Sequence, residues 1–527
     1  MKTALFIAAA WAATAGAQAD VVTDWNIRAG ELIVEAKLGT PPANRAMALV
    51  QTAVHEAVVA APAGGVDAAV AAANRAMLLK LLPAQQAAID KAYQAALDAL
   101  PEGPERSAGI AAGEQAAAAV LTRRAGDAIA AERYRPHAAA GRYVPTAAVA
   151  APQWPQRKPW AMSSAAQFRP GPPPALDSLQ WTRDYEEVRL FGAKASAQRS
   201  AEQTEVARFW EYSLPPIYHA LLRSVANAPG RSVAQNARLF AAASQAMDDA
   251  LIAVFDAKYH YNFWRPVTAI RNGDADGNAQ TPAEPGWNSL LDSPLHPEYP
   301  SAHSVLAGAL GSVLRAEVGP GRPLALSSAS PSAGGATRRW ADVEDLMREV
   351  GDARIWAGIH FRGSTEVGLA MGRQIGALLA ERHALGPDAP RLLERLAARG
   401  VQIYECRADA AAPGGAQWVF VEPQAELFDA AGTVQGRHYA GPHWEAADGS
   451  KLVGRVESRS EAPAADAIPW LRLSARSVGA PGRLAGVTRI ERVNTSGGLA
   501  PQRRCDAAGI GSRDRVRYTA DYLLYAS

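Results

Sequence analysis

The 527-residue chain has only two cysteines, almost no net charge and, beyond its first few residues, no apolar run long enough to cross a bilayer. Each shortage removes a class of function. Lys and Arg number 54 against 52 Asp and Glu, a balance of +2, too even for a protein that coats nucleic acid or anionic lipid, so any working positive charge must be local. Nucleic acid is not an expected partner. Arg, Asp, Glu and Gln interrupt the apolar residues throughout, and the mature chain is expected to be soluble with no membrane span. The N-terminus is the exception: Lys2, an apolar run from Ala4 to Ala15 and then Ala17-Gln18-Ala19 follow the order of a secretory signal with a small-x-small cleavage site. Residues 1–19 therefore read as a removable signal peptide, and the protein as secreted or periplasmic. In an oxidising compartment the even pair Cys406 and Cys505 reads as a disulfide rather than a metal or catalytic site. Closing a loop of that length stabilises a fold by roughly 4 to 5 kcal/mol in the chain-entropy account.

What the chain does contain, 48% apolar residues, is enough for at least one large core. Residues 20–399 are rich in Ala, Leu, Glu and Arg, with helical periodicity over 44–60, 83–100, 104–124, 204–210 and 232–257. Two stretches interrupt the pattern: 134–177, rich in Pro and aromatics, and 319–337, rich in Gly, Pro and Ser. Both are expected to be loops, of the kind that rim sites. From residue 400 to 527 the composition changes to short β-prone runs at 401–404, 418–421, 452–456, 470–473 and 487–490, separated by turn residues. The expected fold is mainly α, a helical domain followed by a small all-β domain that the cysteine pair staples. No internal repeat is present.

Three motifs carry chemistry. In Lys258-Tyr-His-Tyr-Asn-Phe-Trp-Arg265-Pro266, seven helical residues turn about 700°, which would put Lys258 and Arg265 on one face with Pro266 ending or kinking the helix. The intervening aromatics argue for burial, and buried cations need an anion; a solvated basic face is the equal alternative. In His296-Pro-Glu-Tyr-Pro-Ser301-Ala302-His303, a Pro-Ser-x-His run opens a small-residue helix and would set free N–H groups, a hydroxyl and an imidazole at one spot, as a tetrahedral oxyanion requires. Simple capping by Ser301 would explain the same run. In Arg354-Ile-Trp-Ala-Gly-Ile-His360-Phe-Arg362, Arg354 and His360 cannot share a face of one continuous helix, and Gly358 offers the break that would let them converge.

In this order and spacing the motifs resemble the vanadium-dependent haloperoxidases and type 2 phosphatidic acid phosphatases, over about residues 25–382. The resemblance implies their helical-bundle fold, with Lys258, Arg265 and Arg354 on the oxyanion oxygens and Ser301 and the Ala302 N–H donating to it. His360 would be the axial vanadium ligand or the phosphatase nucleophile, and His303 the acid–base group. The implied cofactor is vanadate, with hydrogen peroxide, halide and a small organic acceptor as partners and Lys258 polarising the peroxide. The alternative is a phosphatase that holds phosphate and hydrolyses a phosphate ester through a phosphohistidine, and a third is a secreted oxyanion-binding protein without catalysis. His296, seven residues before His303, resembles the bromide-oxidising members and marks bromide or iodide as the favoured halide. Three positions depart from the pattern: Ala302 stands for Gly, Ala353 for Ser, and Ser364 for an Asp that orients the histidine, so that Glu366 or a backbone carbonyl is expected to take over that role. From Gly400 onward the chain resembles an uncharacterised domain of secreted bacterial proteins, which implies no activity; His438, His443 and Trp444 there read as packing.

Overall fold

The computed structural model describes residues 20–127, 134–387, 391–412, 414–429, 432–462 and 466–526, so the signal-peptide reading of 1–19 lies outside the described residues. The helical part runs α1 (Val21–Glu35), α2 (Thr40–Ala60), α3 (Val66–Leu81), α4 (Gln86–Asp98), α5 (Pro104–Arg123), α6 (Leu179–Phe191), α7 (Ala201–Phe209), α8 (Pro215–Ala226), α9 (Val233–Tyr261), α10 (Pro266–Arg271), α11 (Ala302–Val318), a hairpin of β1 (Leu326–Ser330) and β2 (Ala336–Trp340), α12 (Val343–Trp356) and α13 (Arg362–Arg382). Its axis is α9. Ser232 and Gln235 form a reciprocal capping box at the start of α9, and its residues from Asn236 to Phe255 are buried almost without a break. A helix apolar on all sides is stable only inside a bundle, and α2, α11 and α13 pack around this one.

Helix α9 ends at Tyr261 because Asn262 adopts a left-handed φ of 51°, a conformation that Asn tolerates better than most residues. Lys258 therefore lies in its last turn, whereas Arg265 is the N-cap residue of α10. The two cations do not share a helical face; a chain reversal brings them together. The stretch 319–337 is likewise not a simple loop, since the β1–β2 hairpin occupies much of it.

Close approach of α11 to α13 fixes the distance between the second and third motifs. A Cβ added at Gly372 would fall 2.1 Å from the Val305 carbonyl oxygen, so any larger residue would wedge the helices apart. Gly358, at φ +76°, forms the break after α12, where a side chain would also strike the Gly192 carbonyl at 2.3 Å.

Within 134–177 the described residues carry one short 3₁₀ turn at Trp154–Gln156. The segment is tied to α9: the Trp160, Ala161 and Met162 N–H groups donate to Asp249 at 2.7, 2.9 and 3.3 Å, and the Trp160 indole donates to Asp248 at 2.7 Å. Burial pushes the Asp249 carboxyl up to about 6 from 3.8. A carboxyl raised on folding stabilises at low pH and loses that contribution as pH rises through the folded pKa. The stability of wild type relative to Asp249→Asn is expected to fall by roughly 3 kcal/mol between about pH 4 and 7, as denaturant titrations across that range would measure.

The C-terminal part is a closed antiparallel barrel of β3 (Arg391–Ala408), β4 (Ala416–Phe428), β5 (Val434–Tyr439), β6 (His443–Ala446), β7 (Lys451–Ser460), β8 (Trp470–Ser477), β9 (Arg489–Gly497) and β10 (Arg513–Ala526), with β10 lying between β3 and β9. Closure leaves no strand edge open. The barrel begins at Arg391 rather than at residue 400, which corrects the boundary read from composition. Leu392 to Ala398 are helix formers in isolation, but their ladder with β10 overrides that preference. His438 stacks on Trp444 at 4.3 Å inside the barrel. Cys406 and Cys505 are disulfide-bonded across 99 residues. Reduction is expected to lower the barrel's unfolding free energy by roughly 4 kcal/mol and to leave oxyanion binding unchanged, as denaturant curves and phosphate titration with and without reductant would record.

Candidate active site

Four elements converge on one cavity of about 370 Å³. The 294–300 loop brings His296, the start of α11 brings Ala302 and His303, α12 brings Arg354, and the turn after Gly358 brings His360. Apolar side chains, among them Leu251, Phe255, Leu295 and Ile359, form much of the remaining wall. The first turn of α11 has the Ala302 and His303 N–H groups without intrahelical acceptors. Ser301, fully buried, is the N-cap: its Oγ accepts from the Ser304 hydroxyl at 3.1 Å and from the Ser304 N–H at 3.4 Å, and its own O–H remains to donate.

The cations divide by what they already hold. Lys258 donates to the carbonyls of Pro297, Glu298 and Pro300 at 2.9, 2.8 and 2.6 Å. Burial and the Arg265 charge push its pKa well down, yet three acceptors at such distances use all three protons of an ammonium, so the geometry holds the charged form. Lys258 thus clamps the loop before α11. Arg265 is also largely committed, donating through Nε to His296 O at 2.9 Å and through Nη1 to Ile359 O at 2.9 Å. Nη2 also donates to Pro297 O at 3.4 Å, and two contacts are with imidazoles: Nη1 lies 3.3 Å from His360 Nε2 and Nη2 lies 3.0 Å from His296 Nδ1. Arg354 is different. One guanidinium nitrogen donates to the Trp210 carbonyl at 2.5 Å, while its Nε is buried with no partner, as is His303 Nε2.

These contacts assign protons. A guanidinium only donates, so His360 Nε2 and His296 Nδ1 are acceptors facing Arg265. His360 Nδ1 then carries hydrogen, and it lies 2.7 Å from Glu298 Oε1. Glu298, fully buried, also accepts the Phe361 N–H at 3.0 Å. Burial raises its carboxyl to about 7 against the pull of Lys258 and Arg265. This is the functional residue that sequence reading missed; its only signal is an acid inside the Pro- and aromatic-rich run His296-Pro-Glu-Tyr-Pro. Glu366, the expected partner, is exposed on α13. Burial, followed by the charges of Arg265 and Lys258, holds His360 well below the usual imidazole range; burial and then Arg354 do the same for His303. Both are neutral until an anion offsets the cations. Three buried cations against one buried carboxylate leave excess positive charge, and Arg354 and His303, whose Nε and Nε2 have no partner, line the same cavity as His360. That donor set fits a tetrahedral oxyanion such as phosphate or vanadate.

The site is thus a buried Arg and His cluster beside a helix N-terminus within a helical bundle. Residues 238–385 match the VCPO second helical-bundle domain, and residues 387–526 match a protein of unknown function (DUF3455). The vanadium chloroperoxidase of Curvularia inaequalis is 26% identical over 186 residues, which are 29% of this chain and 30% of that protein, so the chain spans less than a third of that relative. Among solved structures, the first bacterial vanadium-dependent iodoperoxidase has a TM-score of 0.56 at 22% identity, covering 69% of this chain and 95% of that one. An apo-type bacterial vanadium-dependent chloroperoxidase has a TM-score of 0.54 at 20% identity, covering 66% and 95%. At such identities the structural likeness establishes the helical fold. The helical part of the chain is thus similar to vanadium haloperoxidases over residues 238–385, and the C-terminal β-barrel matches the family of unknown function.

Proposed function

We propose that the protein is an exported vanadium-dependent haloperoxidase that oxidises bromide or iodide with hydrogen peroxide. The observation that carries this reading is the neutral His360, backed on Nδ1 by Glu298 and left with an acceptor Nε2, in a cavity whose Arg354 and His303 have unpartnered polar atoms. Vanadate, when bound, supplies a Lewis-acid centre that activates peroxide without changing its own oxidation state. The chain's residues do the rest: His360 Nε2 offers the single protein lone pair, Arg354 and the first turn of α11 hold oxyanion oxygens, and Arg265 fixes both His360 and His296. His303, neutral in the absence of an anion, takes and returns a proton at Nε2 as peroxide binds and halide is oxidised. The apolar wall admits a small organic acceptor.

What supports the choice of halide is that His296 lines the same cavity, its ring 5.2 Å from that of Phe255. Wild type is expected to oxidise bromide and iodide far faster than chloride, and His296→Phe to change the bromide rate or its pH dependence, as initial rates with each halide would show. One observation favours a second reading: a carboxylate behind a histidine also activates a nucleophile, which suits a phosphohistidine phosphatase. Both are tested on one sample, by halide-dependent oxidation of a phenol dye with and without orthovanadate beside hydrolysis of an aryl phosphate. Vanadate-dependent dye oxidation supports the haloperoxidase; ester hydrolysis alone supports the phosphatase.

A further inference from the structure

The inference concerns the group behind His360 and rests on the oxyanion site just proposed. Glu298 Oε1 takes two hydrogen bonds, from His360 Nδ1 at 2.7 Å and from the Phe361 N–H at 3.0 Å. One oxygen thus ties down both the imidazole and the backbone next to it. The carboxylate is itself held from its own backbone, because Lys258 binds the carbonyls of residues 297, 298 and 300. On the far side of the ring, Arg265 donates toward Nε2 at 3.3 Å and to the Ile359 carbonyl at 2.9 Å. The ring is therefore gripped at both nitrogens by buried, oppositely charged groups.

We propose that Glu298 is a positioning residue: its carboxylate fixes His360 as the Nδ1–H tautomer and strengthens Nε2 as the electron-pair donor toward vanadate or phosphate. Without it Nδ1 would lose its acceptor, and only the long 3.3 Å contact of Arg265 Nη1, a nitrogen that already donates to the Ile359 carbonyl, would oppose a proton on Nε2, where it would block the lone pair. A neutral amide at this position would preserve the direction of the hydrogen bond and remove the charge that raises ring basicity. Geometry and charge are therefore separable by two substitutions. The buried Ser364 hydroxyl neighbours the Glu298 carboxylate and acts on it as a hydrogen-bond donor; a hydroxyl can equally accept from the amide group of a glutamine.

The test uses the full chain as wild type, Glu298→Gln and Glu298→Ala. The His360 tautomer is read from ring ¹⁵N shifts in oxyanion-free protein, with the signal assigned by its absence from His360→Ala. Orthovanadate affinity is read by calorimetry. Glu298→Gln is expected to keep the Nδ1–H tautomer and bind vanadate about 10-fold more weakly, and Glu298→Ala to show mixed tautomers and bind about 10- to 100-fold more weakly. A purely structural role would shift the melting temperature without changing the tautomer. A pure Nδ1–H tautomer in Glu298→Ala, or affinity within twofold of wild type in both variants, overturns the proposal. Should Glu298→Ala fail to fold, the isosteric glutamine variant decides by its affinity alone. Wild type that binds neither vanadate nor phosphate would overturn the proposed function, while the tautomer measurement would still decide the role of Glu298.

Discussion

His360→Ala is expected to reduce turnover to background while oxyanion binding only weakens. His360 Nε2 is the acceptor nitrogen that the cavity presents between Arg265 and Glu298, and its removal leaves Arg354 and the first turn of α11 in place. Those groups bind charge but form no bond to vanadium or phosphorus. The fold should tolerate the change, because Glu298, with its carboxyl near 7, can accept a proton when its partner is lost. Phosphate calorimetry and the dye-oxidation rate on the same preparation separate the two effects. Near-wild-type turnover in this variant would remove the active-site assignment.

The second large effect is expected at Lys258, and it is one of stability as much as of binding. Lys258→Met leaves the carbonyls of Pro297, Glu298 and Pro300 without their donor in a fully buried setting. Each stranded buried acceptor costs about 1 to 3 kcal/mol, so the sum rivals the whole stability of a typical domain. The variant should melt at least about 6 °C below wild type and lose vanadate affinity as the Glu298 loop shifts. Arg354→Ala provides the contrast: it should weaken vanadate binding with a smaller loss of stability, since its Nε has no protein partner to abandon. If Lys258→Met keeps the wild-type melting temperature and loses only affinity, Lys258 touches the anion as the family resemblance implies and is no clamp.

The contrast between these two cations shows what is legible in a sequence of this kind. Ser301, His303, Arg354 and His360 can be read because each lies beside a local signal, a Pro-Ser helix start or a glycine break, and local backbone geometry decides where they go. The commitment of Lys258 is not legible, because its partners are backbone carbonyls about forty residues away, and carbonyls leave no mark in residue identity. Glu298 is hidden for a related reason: the pairing with His360 spans 62 residues and depends on the close contact of α11 with α13. The helical periodicity of the bundle follows its apolar faces, and α9 and α5 fall close to the stretches read from the sequence. The barrel is less legible. Strand β10 alternates Arg and Asp with apolar residues only weakly, and the first half of β3 is written in helix formers, so ring closure rather than local preference makes them strands.

The central claim is that this cavity becomes a halide-oxidising site when one vanadate is bound. It is tested most directly by titrating orthovanadate into metal-free protein with bromide and peroxide present, and then repeating the titration against phosphate. The account predicts that bromide oxidation rises from background, saturates at one vanadate per chain and is competitively suppressed by phosphate. Bromide oxidation that is independent of vanadate, or vanadate saturation at one per chain without any bromide oxidation, would contradict it.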